Sequence, residues 1–504
     1  MSYSMHLCLL VATLTRAHAE PDVGDPTLAD VLEPALQRLR QRVQDFLQQA
    51  VGPQATCQFE QQLHHELGEL GRLIVQWTFN HVEPAIEALP MHVRFEASPY
   101  TRLQRKTPQH IATRFGTIRW WRAGYRPTQK TGDPTLFPAA QHLGIVQAAT
   151  PALAERVAFY QAQAGASQQR TLQCLRAVHQ VRWGVKKLRQ VTAALASALD
   201  EQRQSVQADQ VLRWLEQASA TTGPHKPLLS VGRDGITLGL RVPGFNIWEV
   251  ASTATVTVLD RRGKRLGTVY LAQAPQAGQT MLSQQLTGLL TEILERWAGP
   301  LPRLCYVTDA GDNETTYYDK VLRRLRHPRT QERLTWVRVV DYYHASERLW
   351  VLAEALQLRA KRWAWVRKMQ KLLLQPGGVR RVLYSAAALR SQRPLRGVRA
   401  EQFRKAYNYL RDRRRFMRYG EYRRQGVPLG SGVTEAACKT VYTQRLKLSG
   451  MRWKLAGAQT ILNLRVVLLS GVWDQAYERV LQTLEEVHVR PYGHSGQKRT
   501  EKAA

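Results

Sequence analysis

The stretch "EVASTATVTVLDRRGKRLGTVYLAQ" (249–273) decides the fold. From Glu249 to Asp260, β-branched residues alternate with period two, the pattern of a pleated strand. "RRGK" (261–264) reads as a turn and "RLGTVYLAQ" (265–273) as the return, so 249–272 is a predicted β-hairpin. Ahead of it, "PLLSVGRDGITLGLRV" (227–242) is apolar and rich in β formers. Behind it come a helix at about 279–297, a strand in "RLCYVTD" (303–309), a helix in "NETTYYDKVLRRLR" (313–326) and a strand in "LTWVRVVDYYH" (334–344). Three antiparallel strands followed by alternating helix and strand predict an α/β mixed sheet.

Ligands of such sheets gather at the carboxyl ends of strands. Asp234 lies in the opening strand, and Asp309 and Asp341 end the two later ones. One acid at a strand end is commonly a cap. Several brought together repel unless a cation lies between them. Mg²⁺ takes carboxylate oxygens and keeps positions for water and phosphate, and two such ions roughly 3.5–4 Å apart suit phosphoryl transfer. Glu435 follows the loop Gly430-Ser431-Gly432 at the start of a predicted helix. It is the only carboxylate in 422–473, among eight Lys and Arg residues. An ordinary account exists: an acid in a first helical turn suits the helix dipole, and Lys439 stands at i+4. That account leaves unexplained why all other acids are missing nearby. A surface that meets phosphate excludes acids, and a metal ion beside the phosphate would retain one.

The 504 residues suffice for two to four domains. A net charge of +32, with 22 basic and 5 acidic residues in 345–425, favours a polyanionic partner such as nucleic acid. The five cysteines are scattered, without metal-binding spacing, and read as reduced thiols of a cytoplasmic protein, with no zinc expected. "LCLLVATL" (7–14) resembles a signal core, but no Lys or Arg precedes it, which disfavours secretion. No run reaches the roughly 18 apolar residues of a membrane helix, and no membrane association is expected.

Three stretches carry a family likeness: "SVGRDGITLGLR" (230–241), "YVTDAGDNETTYYDKV" with "VVDYYHASERLW" (306–350), and "GSGVTEAACKTVYTQRLKLSGMRWKLAGAQTILNLR" (430–465). Acid on the first strand, acid after the fourth and Glu on a later helix resemble the DDE transposases, closest to bacterial insertion-sequence transposases of the Kra type, related to the Mutator group. "RFGTIRWWRAGYR" and "HLGI" extend the likeness weakly towards the N-terminus. The resemblance implies a ribonuclease H-like catalytic domain. It implies Asp234, Asp309 and Glu435 as catalytic metal ligands for two Mg²⁺ or Mn²⁺ ions. It places Asp341 and His344, a D-x-x-H signature, in support near the site. Substrate and partner would be double-stranded DNA, element ends and target, cut and joined by a homodimer or higher assembly. Cysteine pairs frequent in the family near 124–133 are missing here, and Arg233 stands where a more apolar residue is commoner. Strand alternation places Arg233 on the face opposite Asp234.

The expected organisation is a disordered leader (1–26), a helical docking or self-association domain (27–100), a small β-containing segment (101–148) and a helical region with a helix-turn-helix candidate (149–222). A ribonuclease H-like domain (223–344 and 426–490), a basic helical insertion (345–425) and a disordered tail (491–504) complete it. The DNA-binding candidates are Lys186, Lys187, Arg411, Arg413, Arg414, Arg415, Lys439, Arg445, Lys447, Arg452 and Trp453. In the insertion, Phe403, Tyr407, Tyr409, Phe416 and Tyr419 interleave with the arginines, either to stack bases or to face a helical core. Two rival functions are a catalytically silent DNA-binding protein of transposase descent and a structure-specific ribonuclease H-like nuclease.

Overall fold

The computed structural model describes residues 26–48, 52–95, 98–129, 132–392, 394–485 and 489–491. The leader and tail expected to be disordered lie, apart from their inner ends, outside the described residues. The chain divides into two compact units, one of 1–161, 166–195 and 477–504 and another of 162–165 and 196–476.

In the first unit, helices α1 (Leu28–Gln48) and α2 (Pro53–Val82) pack side by side. Pro53 opens α2, where its missing N–H costs nothing. Pro84 follows the end of α2, a single 3-10 turn (Ile86–Ala88) comes next, and Pro90 precedes the first strand. Strands therefore begin earlier than the helical stretch 27–100 foresaw: β1 (His92–Phe95) and β2 (Ser98–Arg102) precede β3 (Thr107–Thr113), β4 (Gly116–Arg122) and β5 (Tyr125–Pro127). A strand at Val489–Pro491 joins β1, β2 and β5 in one sheet, and β3 with β4 forms a separate hairpin. Ile118 and Trp120 of β4 are buried while Thr117, Arg119 and Trp121 are exposed, the period-two signature read from the sequence. Helices α3 (Pro138–His142), α4 (Pro151–Ala162) and α5 (Gln168–His179) follow. Gln180, at φ +53°, ends α5. Helix α6 (Val185–Ala220) then runs for 36 residues, far longer than a compact helix-turn-helix requires.

The second unit is a mixed α/β body. Its strands are β6 (Leu228–Val242), β7 (Phe245–Leu259) and β8 (Arg265–Gln273), then, after α7 (Thr280–Arg296), β9 (Arg303–Thr308), and after α8 (Asp312–Lys320), β10 (Trp336–Val340). The sheet order is β10-β9-β6-β7-β8. Strands β6, β7 and β8 are antiparallel, while β9 runs parallel to both β6 and β10. Alternation along β6 sends Leu229 and Val231 to one face, where α7 covers them with Leu286, Leu289 and Ile293. Leu228 goes to the other face, joined by Val307 and Val339.

That second face is covered by α9 (Tyr342–Ala355), α10 (Arg362–Leu373), α11 (Gly378–Ser391), α12 (Gly397–Arg413) and α13 (Tyr419–Arg424). Despite their charge these helices have a core, with Leu349, Val366, Leu410 and Tyr419 fully buried. The chain closes through α14 (Gly432–Ala437), a π-helical turn (Cys438–Thr443), α15 (Gln444–Leu446), α16 (Leu455–Leu469) and α17 (Trp473–Glu485). No single described helix is long and apolar enough to cross a membrane.

Candidate functional site

Parallel pairing of β6 with β9 ends at Gly232 opposite Val307, and β9 pairs with β10 up to Thr308 opposite Val340. Asp234, Asp309 and Asp341 therefore sit at one edge of the sheet, each just past its strand's last parallel pair. Helix α14 brings Glu435 to the same edge. It lies directly on β6 because residue 232 is glycine: a Cβ there would come 2.0 Å from Thr434 Oγ1. Thr434 Oγ1 and Thr255 Oγ1 of β7, 2.7 Å apart, fix the contact.

Asp234 is half-buried and has few donors. Its carboxylate accepts from the Gly235 N–H at 2.7 Å and from the Cys438 thiol at 3.4 Å. Burial raises its pKa, the two donors oppose this, and the charges of Asp309 and Glu435 raise it further. Asp309 accepts from the Gly311 N–H at 3.0 Å. The next residue, Ala310, takes φ +63°, a left-handed conformation costly for a residue with a Cβ. Neighbours hold it there: its carbonyl accepts from Arg413 at 3.0 Å and its N–H donates to Thr308 Oγ1 at 3.1 Å. The Tyr409 hydroxyl donates to the Asp309 carbonyl at 2.7 Å.

Asp341 differs. It is wholly buried and caps α9, accepting from the Tyr343 N–H at 2.5 Å and the His344 N–H at 3.1 Å. Its other oxygen takes the Ser431 N–H and, at 2.6 Å, the Ser431 hydroxyl. Burial would raise its pKa, but the donors of His344 and Ser431 outweigh burial and hold it at about 2. Beside Asp341, the His344 ring is raised to about 9 against the effect of burial. His344 Nδ1 stands 3.7 Å from Asp341 and 3.6 Å from Glu435, ion-pair distances beyond hydrogen bonding. Glu435 is half-exposed and lies 3.0 Å from the Ser431 hydroxyl. That hydroxyl has one proton to share between two carboxylates. Carboxylate and imidazole atoms of Asp341, His344 and Glu435 lie within 4.8 Å of one another and could hold a cation.

The ion pair of Glu435 is thus with His344, not with Lys439 as the local helical account had it. The backbone widens to a π-helix at Cys438, which breaks the α-helical phase across that pair. Buried Arg465 donates to the Val441 carbonyl at 2.9 Å and to the Thr440 carbonyl, satisfying acceptors of the π turn.

Glu314, which the sequence reading did not single out, is a further acid at this edge. It is buried in the first turn of α8, and a Cβ built on Gly311 would meet both its carboxylate and that of Asp309. Burial raises its pKa, its own N–H opposes this, and the Asp309 charge adds to it. Its signal was in the sequence: Glu314, Tyr317 and Tyr318 stand at i, i+3, i+4, one buried stripe. Ser431 was read only as loop. It stands at the N-cap position of α14, yet its hydroxyl serves two acids rather than the helix.

Of the basic candidates, Lys439, Lys447, Arg452, Arg411, Arg414 and Arg415 are exposed in the second unit, and Arg413 is half-buried against Ala310. Arg445 is a correction. It is buried beneath Trp453, its guanidinium 5.4 Å from the ring centre, and desolvation with the charge of Arg465 pushes its pKa down to about 10. Trp453 is half-buried, its indole N–H donating to the Leu446 carbonyl at 2.8 Å. In the insertion, Phe403 and Tyr419 are core residues and Tyr407, Tyr409 and Phe416 pack against the same core. The helical-core alternative holds there, not the base-stacking one. Lys186, exposed, and Lys187, half-buried, open α6 in the first unit, away in sequence from the acids. Compared with known proteins, the sequence matches no family model and no curated protein.

Proposed function

We propose that the chain is a DDE-type DNA transposase that cuts the ends of an insertion sequence and joins them to target DNA. The observation that carries this reading is that Asp234 and Asp309, 75 residues apart, follow the last parallel pair of adjacent strands, while Glu435, 126 residues further on, stands on a helix packed against β6. The charges of Asp309 and Glu435 reach Asp234, although Glu435 stands within cation-holding distance of Asp341 and His344 rather than of the other two. The strand order, three antiparallel strands then two parallel ones, supports a ribonuclease H-like architecture.

The donor set fits a hard divalent cation. Asp234 has two donors, one of them a weak thiol, and the neighbouring carboxylates oppose its ionisation. Oxygen-rich, donor-poor clusters suit Mg²⁺ or Mn²⁺. Asp234, Asp309 and Glu435 would hold two such ions, which when bound supply Lewis-acid activation of a hydroxyl nucleophile and of the leaving oxygen. The protein's own groups do the rest. Ser431 and His344 orient Glu435, and Asp341 anchors both through its caps. Arg413 and Tyr409 hold the backbone that presents Asp309. Exposed Lys439, Lys447, Arg411, Arg414 and Arg415 neutralise DNA phosphates. Handling two element ends calls for a dimer or larger assembly on DNA.

The test is cleavage of a plasmid carrying the DNA that flanks this gene, with Mg²⁺ or Mn²⁺, comparing wild type with Glu435→Gln. Metal-dependent cuts at defined flanking positions, reduced at least about a hundredfold in the variant, are expected. Tight binding of those ends without cutting under either metal would instead indicate a silent DNA-binding protein. Cutting of branched DNA regardless of end sequence would indicate a structure-specific nuclease.

A further inference from the structure

Strands β6 and β7 continue past the acids as a two-stranded arm. Asp234 pairs with Thr253, and pairing runs on to Val242 opposite Phe245. Near the tip of the arm Phe245, Trp248 and Val250 are 63, 56 and 49 % exposed. By strand alternation Trp248 and Val250 share one face of the arm while Phe245 lies on the other, so the exposed apolar surface of the Trp248 face is the pair Trp248 and Val250.

The arrangement around Trp248 is built. Gly239 faces Trp248 in register, and a Cβ there would come within 3.1 Å of Arg452 Cδ. Glycine leaves room for Arg452 to lie across the strand, with its guanidinium 4.9 Å from the Trp248 ring centre. The segment bearing Arg452 is pinned to the edge of β6 that β9 leaves unpaired after Gly232. The Trp453 N–H donates to the Gly239 carbonyl at 3.2 Å, and the Arg241 N–H donates to the Trp453 carbonyl at 2.8 Å.

Charge selects the partner. By strand alternation the Trp248 face of the arm carries Arg241 and no acid, since Glu249 pairs with Leu238 on the opposite face. An indole with a guanidinium stacked on it, flanked by a second cation, matches an aromatic base attached to phosphate. We infer that Trp248 and Arg452 form a stacking platform for an unpaired nucleobase of single-stranded DNA, about 17 Å along the strand from Asp234 at 3.3 Å per residue and on the opposite face of the strand pair, so that a bound strand passes around the arm's edge rather than straight to the acids. The inference rests on the transposase reading for its choice of nucleic acid, and it deepens that reading by assigning a site for a strand already separated from its duplex.

The experiment uses the full chain in EDTA, so that no cleavage intervenes. Fluorescence anisotropy measures affinity for a labelled oligothymidylate and for a duplex of equal length. Trp248→Ala is expected to weaken oligothymidylate binding about tenfold or more, with duplex binding little changed. Trp248→Phe should retain most of the affinity. Arg452→Ala, which removes the guanidinium from the ring, should shift affinity in the same direction as Trp248→Ala. Unaltered oligothymidylate binding in Trp248→Ala, an equal loss for both DNA forms, or no binding of either by wild type would overturn the platform. The two readings fail separately. A chain that never cuts but shows Trp248-dependent selectivity for single strands keeps the platform and loses transposition. A chain that cuts at its ends while Trp248→Ala binds both forms normally keeps transposition and loses the platform.

Discussion

Asp341 and Asp234 stand at the same sheet edge and live in opposite surroundings. Asp341 is fully buried yet saturated, with donors from Tyr343, His344 and Ser431 holding it at about 2. Asp234 is less buried, has one backbone donor and one thiol, and is raised by burial and by its acidic neighbours. An acid that the protein itself satisfies organises structure. An acid left short of donors among other acids has capacity for a ligand the protein does not supply.

The sharpest way to break this contrast is Asp341→Asn. The amide has one acceptor oxygen in place of two and adds donors facing the Ser431 N–H, so a loss of about 3 kcal/mol is expected in denaturant unfolding. Because the folded pKa lies below the unfolded value, the carboxylate contributes stability above about pH 4 and loses it as pH falls towards 2. The gap between wild type and variant should therefore close over that window, and a gap that persists at pH 2 would contradict the assignment. A smaller and opposite effect is expected at Asp234. Because its folded pKa is raised, ionisation costs stability as pH rises above the unfolded value, so Asp234→Asn should be more stable than wild type at neutral pH without metal, an advantage lost in acid below both values. Mg²⁺ should raise the melting temperature of wild type and leave that of the variant unmoved; equal responses would remove Asp234 from the cation site. The smallest effect belongs to Tyr409→Phe, which deletes one hydrogen bond to the Asp309 carbonyl and should cost about 1 kcal/mol.

The strand sequence of the second unit was legible because its signals are local. Period-two runs at 249–273 and apolar runs ending in acids at 309 and 341 became β7, β8, β9 and β10 within a few residues. The arm was less legible. The predicted hairpin began at Glu249 and left "GFNIW" (244–248) unassigned, but Gly244 at φ +85° closes a tight turn and β7 starts at Phe245. Site acids could be nominated from strand ends, whereas their partners could not. Ser431 and Asp341 are 90 residues apart, and no periodicity links them. Arg445 was misplaced because a cation in a basic stretch reads as solvated. Only tertiary packing under Trp453 puts it inside. Glu314 was overlooked although its helical stripe marked it as buried.

The bond between Ser431 and Asp341 also bears on the order in which the molecule forms. Closing a flexible loop of that length would cost on the order of 4 kcal/mol in chain entropy. Helices α9 to α13 lie within it and share a core, so their collapse shortens the loop before its ends must meet. Folding of the basic helices is then a precondition for the acid edge rather than an ornament on it. During synthesis, a chain that has already emerged through β10 holds Asp234, Asp309 and Asp341 but neither Ser431 nor Glu435. The edge stays incomplete until the ribosome has delivered the chain through Glu435.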